Sequence, residues 1–271
     1  MAVQLRGHPG QGLRGAADRQ KTVRHARLYR VSAIVIRQRE LGEADRILVL
    51  YTRERGKLSS VAKGIRRPRS KLAGSLQLFS QAEVQLAAGR SLEVVTQARA
   101  ANAFYNLRQD MARYAHASYA AELLDALTEE GLADPPLYEL LVETLSALDA
   151  GGDPATLTRA LELKLLGRLG YGPELASCAS CGAEVAGKAR GFSVPQGGVV
   201  CARCLSAGGG SPLSAAGLRA LRELRELDTA VLAGKRMSRA AREEVGRLMR
   251  AYVPFHVGRE LRSAAFLGED G

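Results

Sequence analysis

Residues 81–99 read QAEVQLAAGRSLEVVTQAR, and their alternation decides the fold class. Ala82, Val84 and Leu86 fall on one face and Gln81, Glu83 and Gln85 on the other, the period of a strand with one buried side. Ala88-Gly89-Arg90-Ser91 is turn chemistry, so Leu92–Arg99 is expected to return as the paired strand. Upstream, Val31–Arg37 is β-branched and apolar through Val31, Ile34, Val35 and Ile36. Arg46–Thr52 and Lys57–Lys63 read as two further strands joined at Arg55-Gly56. The stretch Gly64–Gln77, with Pro68 and Gly74, suits a loop holding a turn of helix. Five strands in about 70 residues, with the only long insert between the third and fourth, predict an OB-type β-barrel. An SH3-like barrel is the alternative.

Beyond Ala101 the apolar period changes from 2 to 3.6. Leu107, Met111, Tyr114, Ala115, Leu123, Leu124 and Leu127 predict one long amphipathic helix. Asp134-Pro135 and Asp153-Pro154 each pair a capping residue with a proline at the first helical position. Two more helices should start there, the first stopping at Gly151 and the second at Gly170. Helices resume at Ser214–Leu227 and Ser238–Val253, with Pro254 closing or kinking the last. The expected organisation is a multi-domain α+β chain in five parts. Residues 1–27 form a Gly- and Arg-rich flexible basic tail and 28–100 the OB-fold, nucleic-acid-binding domain. Residues 101–177 form a helical bundle, 178–207 a four-Cys element, and 208–271 C-terminal helices packing on the bundle.

The net charge of +11 is unevenly placed. Residues 1–100 carry 20 basic and 7 acidic side chains, residues 101–175 carry 5 and 12, and residues 176–271 carry 14 and 9. A basic first third beside an acidic middle suggests a polyanion-binding module joined to a different interaction module. Between Arg53 and Lys71 lie Arg53, Arg55, Lys57, Lys63, Arg66, Arg67, Arg69 and Lys71, opposed by Glu54 alone. Arg37, Arg39 and Arg46 sit just upstream. On an OB barrel these side chains would line strands two and three and the loop beyond, near the face such barrels offer to single strands. The bland reading, a solvated surface, does not account well for so dense a run. Aromatic side chains between 28 and 100 are few, only Tyr29, Tyr51 and Phe79. Binding is therefore expected to run through phosphates, with bases left mostly free.

All four cysteines stand in two C-x-x-C pairs, Cys178/Cys181 and Cys201/Cys204, nineteen residues apart. Four thiolates at this spacing satisfy one tetrahedral Zn²⁺ and leave no open position for substrate. The intervening segment is too short for its own core, so the metal would supply its folding energy. A redox dithiol, two disulfides and unmetallated knuckles are the other readings. Confinement of all the cysteines to this pattern suggests a reducing, cytoplasmic setting. No apolar run approaches the roughly 18 residues of a membrane span, and no secretory leader is evident. A basic leader imitating an organelle transit peptide is a minor alternative. The G-x-G-x-x-G match at Gly10–Gly15 lacks a preceding strand, and Gly182-x-x-x-x-Gly187-Lys188 lacks the Ser or Thr of a P-loop. No carboxylate cluster or His arrangement suggests catalysis.

Several stretches, taken in order, resemble one family. They are Gly42-Glu43-Ala44-Asp45-Arg46, Thr52–Gly56 with Lys57-Leu58, Ala62-Lys63-Gly64-Ile65-Arg66-Arg67, and Gly74–Ser80. Later come Leu165-Leu166-Gly167-x-x-Gly170-Tyr171-x-Pro173 and Arg262-Ser263-x-x-Phe266-Leu267. Together with the order of parts they are similar to the RecO family of bacterial recombination mediators and DNA repair proteins. The resemblance spans about Tyr29 to Leu267 and omits the tail. It implies binding of single- and double-stranded DNA and annealing of complementary strands, including strands coated by single-strand binding protein. It also implies a partnership with RecR that helps load RecA, with no bond made or broken, hence no enzyme. Action would be cytoplasmic, at the nucleoid when DNA is bound, with no membrane partner and no small-molecule substrate. The acidic, apolar-ended tail of single-strand binding protein should seek a basic, helix-lined groove, for which Arg219, Arg222, Arg239 and Arg242 are the candidates. Two rivals stand beside this: an OB or zinc-ribbon RNA-binding accessory factor of ribosome or transcription, and a protein adaptor whose basic face docks an acidic partner.

Overall fold

A computed structural model describes residues 28–89, 91–185 and 191–268; the basic tail, and the lysine of the P-loop-like match, lie outside them. Five strands close a barrel: β1 (Leu28–Leu41), β2 (Asp45–Thr52), β3 (Gly56–Ala62), β4 (Gln81–Ala87) and β5 (Glu93–Asn102), in the order β1-β2-β3-β5-β4. β3 runs parallel to β5 through Ser60 and Val61, and β4 closes against β1 with Val31 opposite Val84. This order is the OB type, and a simple SH3-like meander does not make it. Val31, Ala33, Val35, Leu48, Leu50, Val84 and Leu86 fill the barrel, joined by Ile65 and Leu76 from the insert after β3. Ile34, Ile36, Val49 and Tyr51 point the other way and are buried against helices. Two-sided burial explains why β1 reads as a near-continuous apolar run and not as clean alternation. β1 extends three residues before and four beyond the stretch expected from sequence, and a bulge between Val35 and Arg37 falls where its pairing with β4 ends and its pairing with β2 continues.

The helical unit comprises α1 (Met111–Leu127), α2 (Pro135–Asp149), α3 (Pro154–Arg168) and, after the cysteine segment, α5 (Ala215–Glu226), α6 (Thr229–Ala233) and α7 (Arg239–Val257). The cysteine segment itself holds a small sheet of β6 (Gly191–Ser193), β7 (Gly198–Val200) and β8 (Ser211–Pro212), with α4 (Ala202–Ser206) between β7 and β8. Asp134 and Asp153 cap α2 and α3 by accepting from the amides of Leu137 and Thr156. Two expectations are corrected. Leu107 does not belong to α1: it sits in a separate 3-10 turn, Tyr105–Arg108, because Phe104 adopts φ 43° before it and Asp110 caps a new start after it. The short α6 was not foreseen, since a single turn carries too little periodicity to read. Pro254 does not close α7, which carries it internally, runs on to Val257 and stops at Gly258, whose φ of 75° suits glycine. No helix among the described residues is long and apolar enough to cross a membrane.

A polar network lies inside the helical core. Arg159 donates through Nη1 to both carboxylate oxygens of Glu162 at 2.6 and 2.7 Å, and the Tyr119 hydroxyl donates to the same carboxylate. Next to it, His116 Nδ1 lies 2.7 Å from Thr158 Oγ1 with the imidazole buried. Burial first, then the nearby Arg159 and Arg242 guanidinium groups against an opposing Asp153, bring His116 down to about 4. The unfolded chain takes that proton near pH 6.5, so below this pH it binds more protons than the native state and stability falls. Urea unfolding is expected to lose about 2 kcal/mol of stability between pH 7 and pH 5 through this group. His116→Gln, which can still meet Thr158, should show that much less pH dependence.

Candidate nucleic-acid interface and metal centre

The basic residues read from the sequence divide into two sets once the barrel meets the helices. One set faces acids of the helical unit. Lys57 Nζ lies 3.0 Å from an Asp125 carboxylate oxygen and also donates to the Asp125 carbonyl, with only 11% of its side chain exposed. Arg37 reaches the same carboxylate at 3.5 Å, and Arg53 Nε donates to Glu139 at 2.8 Å. The backbone joins in where Gly131 N donates to the Lys57 carbonyl, and Gly56, at φ 63°, passes against the Leu132 backbone where a side chain would clash. Lys57 thus docks α1 on the barrel, its ammonium already engaged by the Asp125 carboxylate and carbonyl. Arg37 and Arg53 remain mostly exposed, and their pairs are weak enough to exchange.

The other set is turned to solvent. Arg39, Lys63, Arg67, Arg69 and Lys71 are exposed, with no ion pair among the described residues. Arg66 pairs with Glu40 at 3.2 Å and its amide donates to the Ala44 carbonyl. Arg46 donates to Gln38 Oε1 at 3.1 Å, and Gln38 in turn donates to the Leu76 carbonyl at 2.8 Å. The loop that carries Lys63–Arg67 is anchored by Asp45, whose carboxylate accepts from Gly64 N at 2.7 Å. Arg55 lies 4.1 Å over the ring of Tyr29. Tyr51 and Phe79 are buried, and the half-buried Tyr29 lies beneath Arg55, so the barrel offers few rings for stacking. Arg108, which the sequence reading passed over, joins this second set: it lines one concavity with Arg46, Arg66 and Arg67. It stands alone beyond the barrel at the start of an acidic stretch, where a charge-run search has nothing to detect.

The four cysteines converge. Their sulfurs all lie within 4.8 Å of one another, with Cys181 and Cys201 3.8 Å apart, and none forms a disulfide. A tetrahedral ion with metal–sulfur bonds of about 2.3 Å needs sulfurs about 3.8 Å apart, so the cluster fits one ion. The first pair sits on a tight turn: Gly182 N donates to the Cys178 carbonyl at φ 74°, and Cys178 N donates to Ala183 O. The second follows β7, with Cys201 at the cap of α4 and its amide 3.3 Å from Cys178 Sγ. Burial resists ionisation of Cys178, but amides of Cys201, Cys181 and Ser180 outweigh it and bring the thiol down to about 6. A lone redox pair would also open a helix as Cys201 does; the inward turn of both pairs onto one point is what favours a metal ion.

The C-terminal candidates are also divided. Arg222 donates to the Leu175 carbonyl ahead of the first cysteine pair, and Arg242 pairs at 3.0 Å with Asp153, the cap of α3. Arg239 reaches Glu243 one turn along α7. Arg219 is exposed and borders a concavity of about 190 Å³ with Lys235 and Arg236, floored by Leu224, Leu232 and Met237.

The sequence is similar to known proteins over both units. The family described as "Recombination protein O N terminal" matches residues 26–104, and "Recombination protein O C terminal" matches residues 108–265. The chain is 41% identical over 244 residues to the DNA repair protein RecO of Symbiobacterium thermophilum, covering 89% of this chain and 96% of that one. It is 38% identical over 246 residues to the DNA repair protein RecO of Pelotomaculum thermopropionicum, covering 90% and 95%. With the protein of that name from Roseiflexus it shares 40% over 244 residues, covering 90% and 86%.

Proposed function

The chain belongs to the recombination protein O family of DNA repair proteins, and from that premise we propose that it binds DNA strands by their phosphates and anneals complementary ones. One observation carries this reading: the exposed basic face of the barrel is poor in aromatic rings, with Tyr51 and Phe79 buried and the half-buried Tyr29 beneath Arg55. Annealing requires neutralised backbones and free base edges. A face of guanidinium and ammonium groups with few stacking platforms supplies the first and preserves the second. The contacts we assign are Arg39, Arg46, Lys63, Arg66, Arg67, Arg69 and Lys71, with Arg37, Arg53 and Arg55 at the margin beside the helical unit.

In this reading the protein acts on strands coated by single-strand binding protein and, with RecR, helps load RecA, making and breaking no bond. It works in the cytoplasm, at the nucleoid when bound. For the acidic, apolar-ended tail of single-strand binding protein, the groove of Arg219 and Arg236 over Leu224 and Met237, where Lys235 pairs with Glu223 at 3.0 Å, offers both cationic and apolar surface. Arg239 and Arg242 flank it, while Arg222 serves the cysteine segment. Cys178, Cys181, Cys201 and Cys204 would hold one Zn²⁺, whose part is structural: it cross-links two turns that have no core of their own.

A salt titration tests the phosphate reading. With roughly seven contacts, the slope of log K against log[salt] for an oligo-dT strand is expected near −5, at about −0.7 per contact. A slope of about −1 would mean that bases or apolar groups hold the strand instead.

A further inference from the structure

We propose that the concavity between the barrel and the helical unit, ringed by Arg46, Arg66, Arg67 and Arg108, seats a phosphodiester group of the bound strand and makes Arg108 part of the interface. This rests on the nucleic-acid reading above and adds to it a specific seat, and a residue outside the barrel. The concavity measures about 500 Å³, and its walls are completed by Gln38, Gln77, Ile65, Ala73 and Leu78. No carboxylate lines it.

Four guanidinium groups around one hollow repel each other, and an anion placed among them relieves that repulsion. The side chains are held in place and still have donors to give. Arg46 is held through Nη1 by Gln38 Oε1, itself tied to Leu76, and Arg108 through Nη1 by the Leu78 carbonyl at 3.2 Å. Each guanidinium carries five N–H donors, so single anchors of this kind fix the plane and leave most of the fork for a ligand. Arg66 spends one nitrogen on Glu40 and the Gly42 carbonyl, and Arg67 lies across Gly64 at the mouth of the loop. The anchor of Arg108 is itself set by an unusual backbone: Phe79, next to Leu78, is buried at φ 69°, a left-handed conformation that costs a bulky residue energy.

A phosphodiester suits this hollow better than the acidic end of a peptide. An apolar-ended acidic tail needs a deep apolar hole beside its cation, and here Ile65 is buried and only the small Ala73 and part of Leu78 are presented. The hollow also opens beside the exposed Lys63–Lys71 run, so a strand tracking those charges would pass over it. Arg108 belongs to the 3-10 turn whose Leu107 amide and Asn106 side chain bond to Asp149 at the end of α2. A phosphate seated there would be gripped from both units at once.

Fluorescence anisotropy with a labelled oligo-dT strand and the full, metal-loaded chain tests the proposal. Arg108→Ala is expected to weaken binding roughly three- to tenfold and to reduce the salt slope by about 0.7, with Arg108→Lys restoring most of the affinity. Arg247→Ala, the same loss of charge on α7 outside the hollow, sets the baseline. The seat is overturned if Arg108→Ala binds as tightly as Arg247→Ala while a Lys63, Arg66 and Arg67 triple alanine variant is impaired; the wider phosphate reading then survives. If the triple variant is also unimpaired, that reading fails too. A loss of affinity for a poly-glutamate peptide, with oligo-dT binding intact, would assign the hollow to a protein partner and overturn the proposal.

Discussion

Cys178→Ser is expected to abolish stoichiometric metal binding and to lower the Tm by more than 10 °C, the largest effect of any single substitution considered. The thiol is buried, and the segment it anchors is part of the helical core. Phe192 meets Tyr252 of α7 edge-on at 5.4 Å, and Val199 and Val200 pack in the same cluster as Leu175. A four-thiolate site is worth of order 10 kcal/mol apparent, and losing even about 4 kcal/mol shifts the Tm of a unit this size by roughly 10 °C. Metal content and thermal unfolding with and without a chelator check this. Equal Tm values for the wild type before and after metal removal would show that the turns hold without an ion. A shift produced by mild reductant in metal-free protein would instead restore the disulfide reading.

Replacing Lys63, Arg66 and Arg67 together by Ala is expected to weaken oligo-dT binding roughly ten- to hundredfold at moderate salt and to reduce the salt slope by about 2. Lys63 and Arg67 have no ion pair among the described residues, and Arg66 has a half-exposed one, so removing them leaves little unsatisfied inside the protein. The control runs in the opposite sense. Lys57→Ala removes the ammonium that holds the Asp125 carboxylate and carbonyl, so stability falls by about 2 kcal/mol while affinity changes less than twofold. If Lys57→Ala weakens DNA binding as the triple variant does, the division of the basic face into docking and binding halves is wrong.

That division marks where sequence stopped being informative. The barrel was legible because β4 alternates cleanly and Arg55-Gly56 and Gly89 supply turns, and the caps at Asp134 and Asp153 announced two helices. The cysteine spacing announced a cluster that the fold indeed closes around one point. A run of like charges, however, says nothing of what lies opposite it. Asp125 and Glu139 follow Lys57 and Arg53 by 68 and 86 residues, and only tertiary packing brings them together. The same holds for Arg222 and Arg242, which read as surface cations and are used on Leu175 and Asp153. Arg108 was missed for the converse reason: a lone cation in an acidic stretch gains meaning only from the three arginines beside it. Asp45 belongs with these, since its bond to Gly64 spans a whole hairpin.

The acidic middle third also takes on a definite role. Part of it docks on the barrel: Asp125 and Glu139 pair with Lys57 and Arg53, and Glu130 accepts from Ser59, while Arg39, Lys63, Arg67, Arg69 and Lys71 keep no ion pair among the described residues. Charge asymmetry along the chain thus becomes an asymmetry around one barrel.

The central claim is that this face neutralises backbones while leaving bases free to pair, and annealing measures it most directly. Two complementary oligonucleotides, precoated with single-strand binding protein and mixed with the metal-loaded chain, are expected to form duplex at least roughly tenfold faster than without it. Added salt should erase the acceleration over the range in which oligo-dT binding is lost. Strand binding with no acceleration of pairing, at any salt, would contradict the account.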